Sequence, residues 1–158
     1  MPHRTARLGI SVPTWLVPVL MSLAPAAQAG LGEPEASIAA DAAALGAHVS
    51  ASDLGTYRIH EMRAASGTLV HEYVTSAGTV FAVTWSGEHL PNLVQMLGSH
   101  YAAYMSAARA APSAATRQHL AVHTDDLVVE MSGHMRAYRG RAYLKSAVPA
   151  GVSADALP

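Results

Sequence analysis

GTLVHEYVTSAGTVFAVTWSG, residues 67–87, carries the clearest structural pattern of the chain. Two apolar-rich runs flank Ser76-Ala77-Gly78, and Gly in third place supplies the left-handed residue that a bulged three-residue hairpin turn needs. The stretch also holds the one Phe of the chain, Phe81, and the one Trp after residue 29, Trp85. It reads as the central hairpin of an antiparallel sheet.

Outward from this hairpin the period stays at two. Thr56 to Ala64, Thr68 to Thr75 and Thr79 to Ser86 are three strand candidates, and Ala65-Ser66-Gly67 repeats the turn signature. Closing both turns pairs Ile59 with Tyr73, Glu61 with His71, and Tyr73 with Phe81. That register puts Ile59, Leu69, Tyr73, Phe81, Val83 and Trp85 on one face, the expected core face. Arg58, His60, Met62, Val70, Glu72, Val74, Val80, Ala82 and Thr84 fall on the other. A one-residue slip would set Glu61 against Glu72, whereas this register sets it against His71.

On either side lie helices. Glu33 to Ala47 is Ala-rich, with Pro34 in the first turn, Ile38, Ala42 and Leu45 on one face and Gly46 at the end. Ser50 to Thr56 reads as a linker. Leu90 to Ala111 has the strongest helical period, through Leu93, Met96, Leu97, Tyr101, Tyr104, Met105 and Ala108, and Pro112 ends it. Period two then returns in Gln118 to His123, Leu127 to Glu130, His134 to Arg139 and Arg141 to Leu144. Asp125-Asp126, Ser132-Gly133 and Gly140 are the breaks, and Met131-Ser132-Gly133 repeats the turn signature. The expected fold is α+β: helix, three strands, helix, three or four strands. About six strands form an antiparallel sheet, with the long second helix packed on one face. The tail from about residue 146, with Pro149 and Gly151, reads as irregular.

The first 29 residues have the zones of a secretory signal: His3, Arg4 and Arg7, then the apolar run Leu8 to Ala24, then the small-x-small site Ala27-Gln28-Ala29. Cleavage after Ala29 would leave one exported domain, residues 30–158, with no transmembrane segment. Of the 10 Lys and Arg, Arg4 and Arg7 depart with the leader, leaving 8 basic against 11 acidic residues and a formal charge of −3. That balance and the scattered cations speak against nucleic acid. With no Cys, the chain has no disulfides, thiolate metal sites or cysteine nucleophile. The expected address is periplasmic or secreted.

Several segments in order carry a resemblance: Gly30-Leu31-Gly32, HEYVTSAGTVFAVTW (71–85), LPNLVQMLGSHY (90–101), SGHMRAYRGRAYL (132–144) and PAGVS (149–153). Together with the leader, they make the chain resemble a family of small exported proteins of unknown function from Burkholderia-like and related proteobacteria. The resemblance implies export and carries over no activity, cofactor or site residue.

The candidate sites therefore rest on these residues alone. Nine His are many for 158 residues, and His can bind metal or move protons. His119 and His123, four apart, are the candidate metal ligands, although on a strand they are too far apart to share an ion. HExxH is absent, and Gly-x-Gly occurs only as Gly30-Leu31-Gly32, not after a strand, so no cofactor is expected. Glu61 and His71 are the candidate acid–base pair, against the plainer reading of a cross-strand ion pair. Arg136, Tyr138, Arg139 and Arg141 are the candidate ligand-binding set, since three of the eight remaining basic residues alternate there with Tyr. The plainer reading is a solvated strand pairing with Asp125, Asp126 or Glu130. Ser66, Ser76 and Ser132 are explained by their turns.

The reading is a non-catalytic binding or envelope-interaction module, whose partner is an envelope protein, an anionic small molecule or a glycan. The alternative is a periplasmic hydrolase with a His/carboxylate site, with or without the assistance of a metal, which requires Glu61, His71, His119, His123 and His134 to converge in one pocket. Intact-mass analysis of the protein from its native host should show a chain beginning at Gly30; a cytoplasmic full-length species alone would refute export.

Overall fold

Two antiparallel meanders meet edge to edge in a computed structural model that describes residues 30–110 and 119–157. The proposed leader and the loop expected after Pro112 lie outside these residues. A 3₁₀ turn, Glu35–Ser37, leads into helix α1, Ile38–Leu45. Strands β1 (His48–Asp53), β2 (Tyr57–Arg63), β3 (Leu69–Thr75) and β4 (Val80–Gly87) follow. Helices α2 (Leu93–Leu97) and α3 (Tyr101–Ala110) precede β5 (His119–His123), β6 (Leu127–His134) and β7 (Ala137–Leu144). The seven strands form one antiparallel sheet in the order β1-β2-β3-β4-β7-β6-β5, so the fold is α+β with four strands, not three, in the first meander.

The extra strand is β1, which falls where a linker was expected. All six of its residues are exposed, and its partner is β2. An edge strand wet on both faces has no apolar alternation to betray it. The helix expected over Leu90 to Ala111 is two. The Asn92 side chain accepts a hydrogen bond from the Val94 N–H at 3.1 Å and starts α2, and Gly98, at φ 49° and ψ −127°, interrupts the helix before α3. No helix among the described residues is long and apolar enough to cross a membrane.

Both three-residue turns form as expected, with Gly67 and Gly78 at φ 84° and 83°. The third expected turn does not. Met131 to His134 continue β6, and the chain reverses at Met135-Arg136, with Arg136 at φ 66°. Gly140, expected to break the strand, lies inside β7 opposite Trp85, where a Cβ would strike the indole.

The decisive departure is in the second hairpin. β2 and β3 pair as expected, Ile59 with Tyr73 and Glu61 with His71. β3 and β4 begin in the expected register at Val74 and Val80, but the next pair is Tyr73 with Ala82, leaving Phe81 as the extra residue of a bulge. Beyond the bulge every β4 side chain changes face relative to the expected register. Val83 and Trp85 join Met62, Val70, Val74 and Val80 under the helices, packed with Met96, Leu97 and Tyr104. Phe81 does not share their face. It packs on the reverse side with Tyr73, its ring also edge-on to Tyr57 at 5.8 Å, and Leu157 of the tail covers them.

The two ends of the described chain are thus fitted to opposite faces. Leu31 is fully buried on the helical side, where its N–H reaches the Met96 carbonyl at 3.0 Å, while Gly32 and Glu33 exchange hydrogen bonds with Val80. The tail, irregular as expected apart from short 3₁₀ turns, lies across the reverse face through Val148, Val152, Ala154 and Leu157.

Truncating Phe81 opens a cavity on the tail side. Phe81→Ala should cost about 3–5 kcal/mol in chemical denaturation and hasten proteolysis within residues 145–157. Trp85→Ala should destabilise without that local release, and equal release by both variants would contradict the assignment of faces.

Candidate functional site

The part of the reverse face that the tail leaves open carries a polar row across the five inner strands. Cross-strand pairing places Glu61 on β2, His71 on β3, Thr84 on β4, Arg141 on β7 and Glu130 on β6 in sequence across the sheet. His71 Nε2 lies 3.3 Å from Glu61 Oε2, and His71 Nδ1 lies 3.4 Å from Thr84 Oγ1, both long contacts. The sequence-predicted pair Glu61 and His71 is brought together by the register, although Thr84 beyond it is only 3% exposed.

Arg141 is a structural tie. Its guanidinium donates to Glu130 at 2.7 Å and to the Ala154 and Asp155 carbonyls at 3.2 and 3.0 Å, and pairs with Asp155 Oδ1 at 3.1 Å. The tail is held through it. Burial pushes the Glu130 carboxyl up, but the hydrogen bond and charge of Arg141 outweigh it and hold the group below its ordinary value.

Arg139 projects from the same face two residues earlier and makes no ion pair among the described residues. It borders a cavity of about 360 Å³ with His71, Thr84, Ser132 and Arg141, and a second cavity of about 290 Å³ toward the hairpin ends. Arg136 lies at the rim of the second, 3.8 Å from Glu88. Tyr138 also lines the second cavity but occupies the opposite strand parity, so Arg139 and Arg141 share a face that Tyr138 does not.

The histidines do not converge. His119 and His123 lie on the far edge strand, three strands from β4, and His123 is engaged with Glu130 at 3.1 Å. His134 closes the β6–β7 hairpin, bonded to the Met135 carbonyl. Among the described residues no three His, Asp or Glu gather as a metal ion requires. The convergence that a His/carboxylate hydrolase needs is not present in this set.

On the helical face the structure shows what sequence reasoning missed. Glu72, taken for a residue of the open face, is fully buried against Asp41 of α1, also fully buried. No N–H or hydroxyl among the described residues donates to either Glu72 oxygen or to Asp41 Oδ2. Gln95 Nε2 donates to Asp41 Oδ1 at 2.6 Å. Burial, then the Asp41 charge and hydrogen bond, push the Glu72 carboxyl up to about 9, and burial raises Asp41 as well. The pair therefore carries a proton near neutrality, Glu72 donating to Asp41. Cross-strand from Glu72, the His60 ring turns to Glu35 at 2.8 Å, and Glu35 also binds the Arg58 guanidinium. The Arg58 bond leads in holding Glu35 below its ordinary value. A Glu at an alternating apolar position, between Val70 and Val74, was the one available signal.

The sequence model of a family described as a protein of unknown function (DUF2844) matches residues 27–157, and the chain belongs to that family. No curated protein and no solved structure matches it.

The acid pair makes a pH prediction. Glu72 holds its proton in the folded state up to about pH 9 and releases it in the unfolded chain near 4.5, so its contribution is whole below pH 4.5 and lost as pH rises through 9. Over that window stability should fall by up to about 1.4 kcal/mol per pH unit, and Glu72→Gln should remove this slope. Parallel pH profiles for the two proteins, measured by urea denaturation at pH 5, 7 and 9, would contradict the shared proton.

Proposed function

We propose that the protein is an exported, non-catalytic binding module of the cell envelope, and that Arg139 is the anion-recognising group of its open sheet face. The observation that carries this reading is the position of Arg139. In a chain whose mature form would be acidic, it stands without an ion pair among the described residues, over two adjoining cavities. A guanidinium presents a planar fork of donors that suits carboxylate or phosphate, and Ser86 and Ser132 add short hydroxyl partners beside it. Arg141 has a different part. Fully engaged with Glu130 and the tail, it gives the cavity a rigid wall.

The hydrolase alternative draws its support from the Glu61–His71–Thr84 chain of contacts, which has the order acid, imidazole, hydroxyl. Burial of Thr84 weighs against it, since the hydroxyl is not presented to a substrate.

Titration with glucuronate, citrate and inorganic phosphate, followed by backbone amide shifts, tests the reading. Shifts should centre on Ser86, Ser132 and Arg139. Arg139→Ala should abolish them while moving the melting temperature by no more than about 3 °C, as for other exposed substitutions. Arg141→Ala should cost about 2–3 kcal/mol through its charge-assisted bonds and release the tail. Undiminished shifts in Arg139→Ala, or a large loss of its stability, would reject the anion site.

A further inference from the structure

We infer that the two cavities form one groove for an acidic oligosaccharide, with Arg139 at its middle and Arg136 at its hairpin end; this rests on the anion-binding reading above and names the ligand class. The cavities share Ser86 and Arg139, so about 360 Å³ on one side and about 290 Å³ on the other adjoin across a single pair of side chains. A lone small anion at Arg139 leaves most of that space and Arg136 unused.

Arg136 is suited to a second anionic group. It is 84% exposed, and its one ion pair, with the 60% exposed Glu88 at 3.8 Å, is loose and open to solvent. Two residues, Ala137 and Tyr138, separate the two arginines, whose Cα atoms are therefore up to roughly 10 Å apart. At that distance they address different groups of one ligand, not the two oxygens of a single carboxylate.

The walls select the kind of chain. Along the groove stand the hydroxyls of Ser66, Ser86 and Ser132 and the bare backbone of Gly67 and Gly87, which match alcohols and ring oxygens, with the Glu130 carboxylate taken up by Arg141 and that of Glu88 beside Arg136. The strands beneath are β3, β4, β7 and β6, each paired on both sides. A peptide laid there finds no free strand edge to extend. Nucleic acid is disfavoured because two arginines in an acidic chain provide too little charge to neutralise a phosphate backbone. A sugar chain bearing carboxylates meets the serine hydroxyls through its alcohols and Arg136 and Arg139 through its anionic groups.

Isothermal titration of the purified protein with galacturonic acid and its di-, tri- and tetramer tests this inference. Affinity should rise by about tenfold or more from monomer to tetramer as the second ion pair forms. Arg136→Ala should abolish that gain and leave monomer binding within about twofold, since the residue is exposed and remote from the first cavity. Arg139→Ala should weaken both. Equal affinity for monomer and tetramer, or full tetramer affinity in Arg136→Ala, overturns the groove while leaving the single-anion site intact. Absence of binding by any oligomer overturns it too. Neutral maltotetraose binding as tightly as tetragalacturonate removes the acidic requirement, and tighter binding of tetraglutamate removes the sugar.

Discussion

The two meanders are joined along one ladder, β4 against β7, and that ladder closes because residue 140 has no side chain. Trp85 on β4 lies directly opposite Gly140, and the indole occupies the space a Cβ would need. Glycine within a strand usually weakens it, and here the loss is offset by burying the largest aromatic side chain of the described residues at the seam. The polar row of the reverse face runs through the same ladder, since Thr84 and Arg141 are the next pair along. Anything that spread β4 from β7 would therefore disturb the core and part the walls of the cavity together.

A second constraint is the bulge at Phe81. One extra residue lets β4 send Phe81 and Ala82 to the reverse face and Val83 and Trp85 to the helical face, so both sides of the sheet's centre are apolar. Such a sheet needs two covers. Helices α1, α2 and α3 are one and the tail is the other, and between the tail and the β6–β7 hairpin lies the cavity that His71, Ser132, Arg139 and Arg141 border.

How much of this could be read beforehand follows from where the information resides. The turns at Gly67 and Gly78 are local chemistry, and so were legible, as was the Glu61–His71 pairing that follows from the first of them. The face of Trp85 was not. Val80 to Val83 is four apolar residues in a row, and an unalternating run is compatible with either register. β1 escaped notice because a wet edge strand carries no period, and Glu72 because a carboxyl is normally expected in water. The difference between Arg139 and Arg141 was beyond the sequence for another reason: Asp155 and the carbonyl of Ala154, which occupy Arg141, come from a segment with no pattern of its own. Family membership agrees with the resemblance to a family of unknown function read from the sequence and adds no chemistry.

The tail also affects the order of assembly. Tyr73 and Phe81 are covered by Leu157, so the aromatic side of the sheet is sealed by a segment made after all seven strands. Contacts closed over so long a loop form late and slowly. Until then the sheet offers Tyr57, Tyr73 and Phe81 to solvent, an adhesive surface in the nascent protein. A sheet deprived of the Leu157 cover would expose the same aromatic surface that a folding intermediate does.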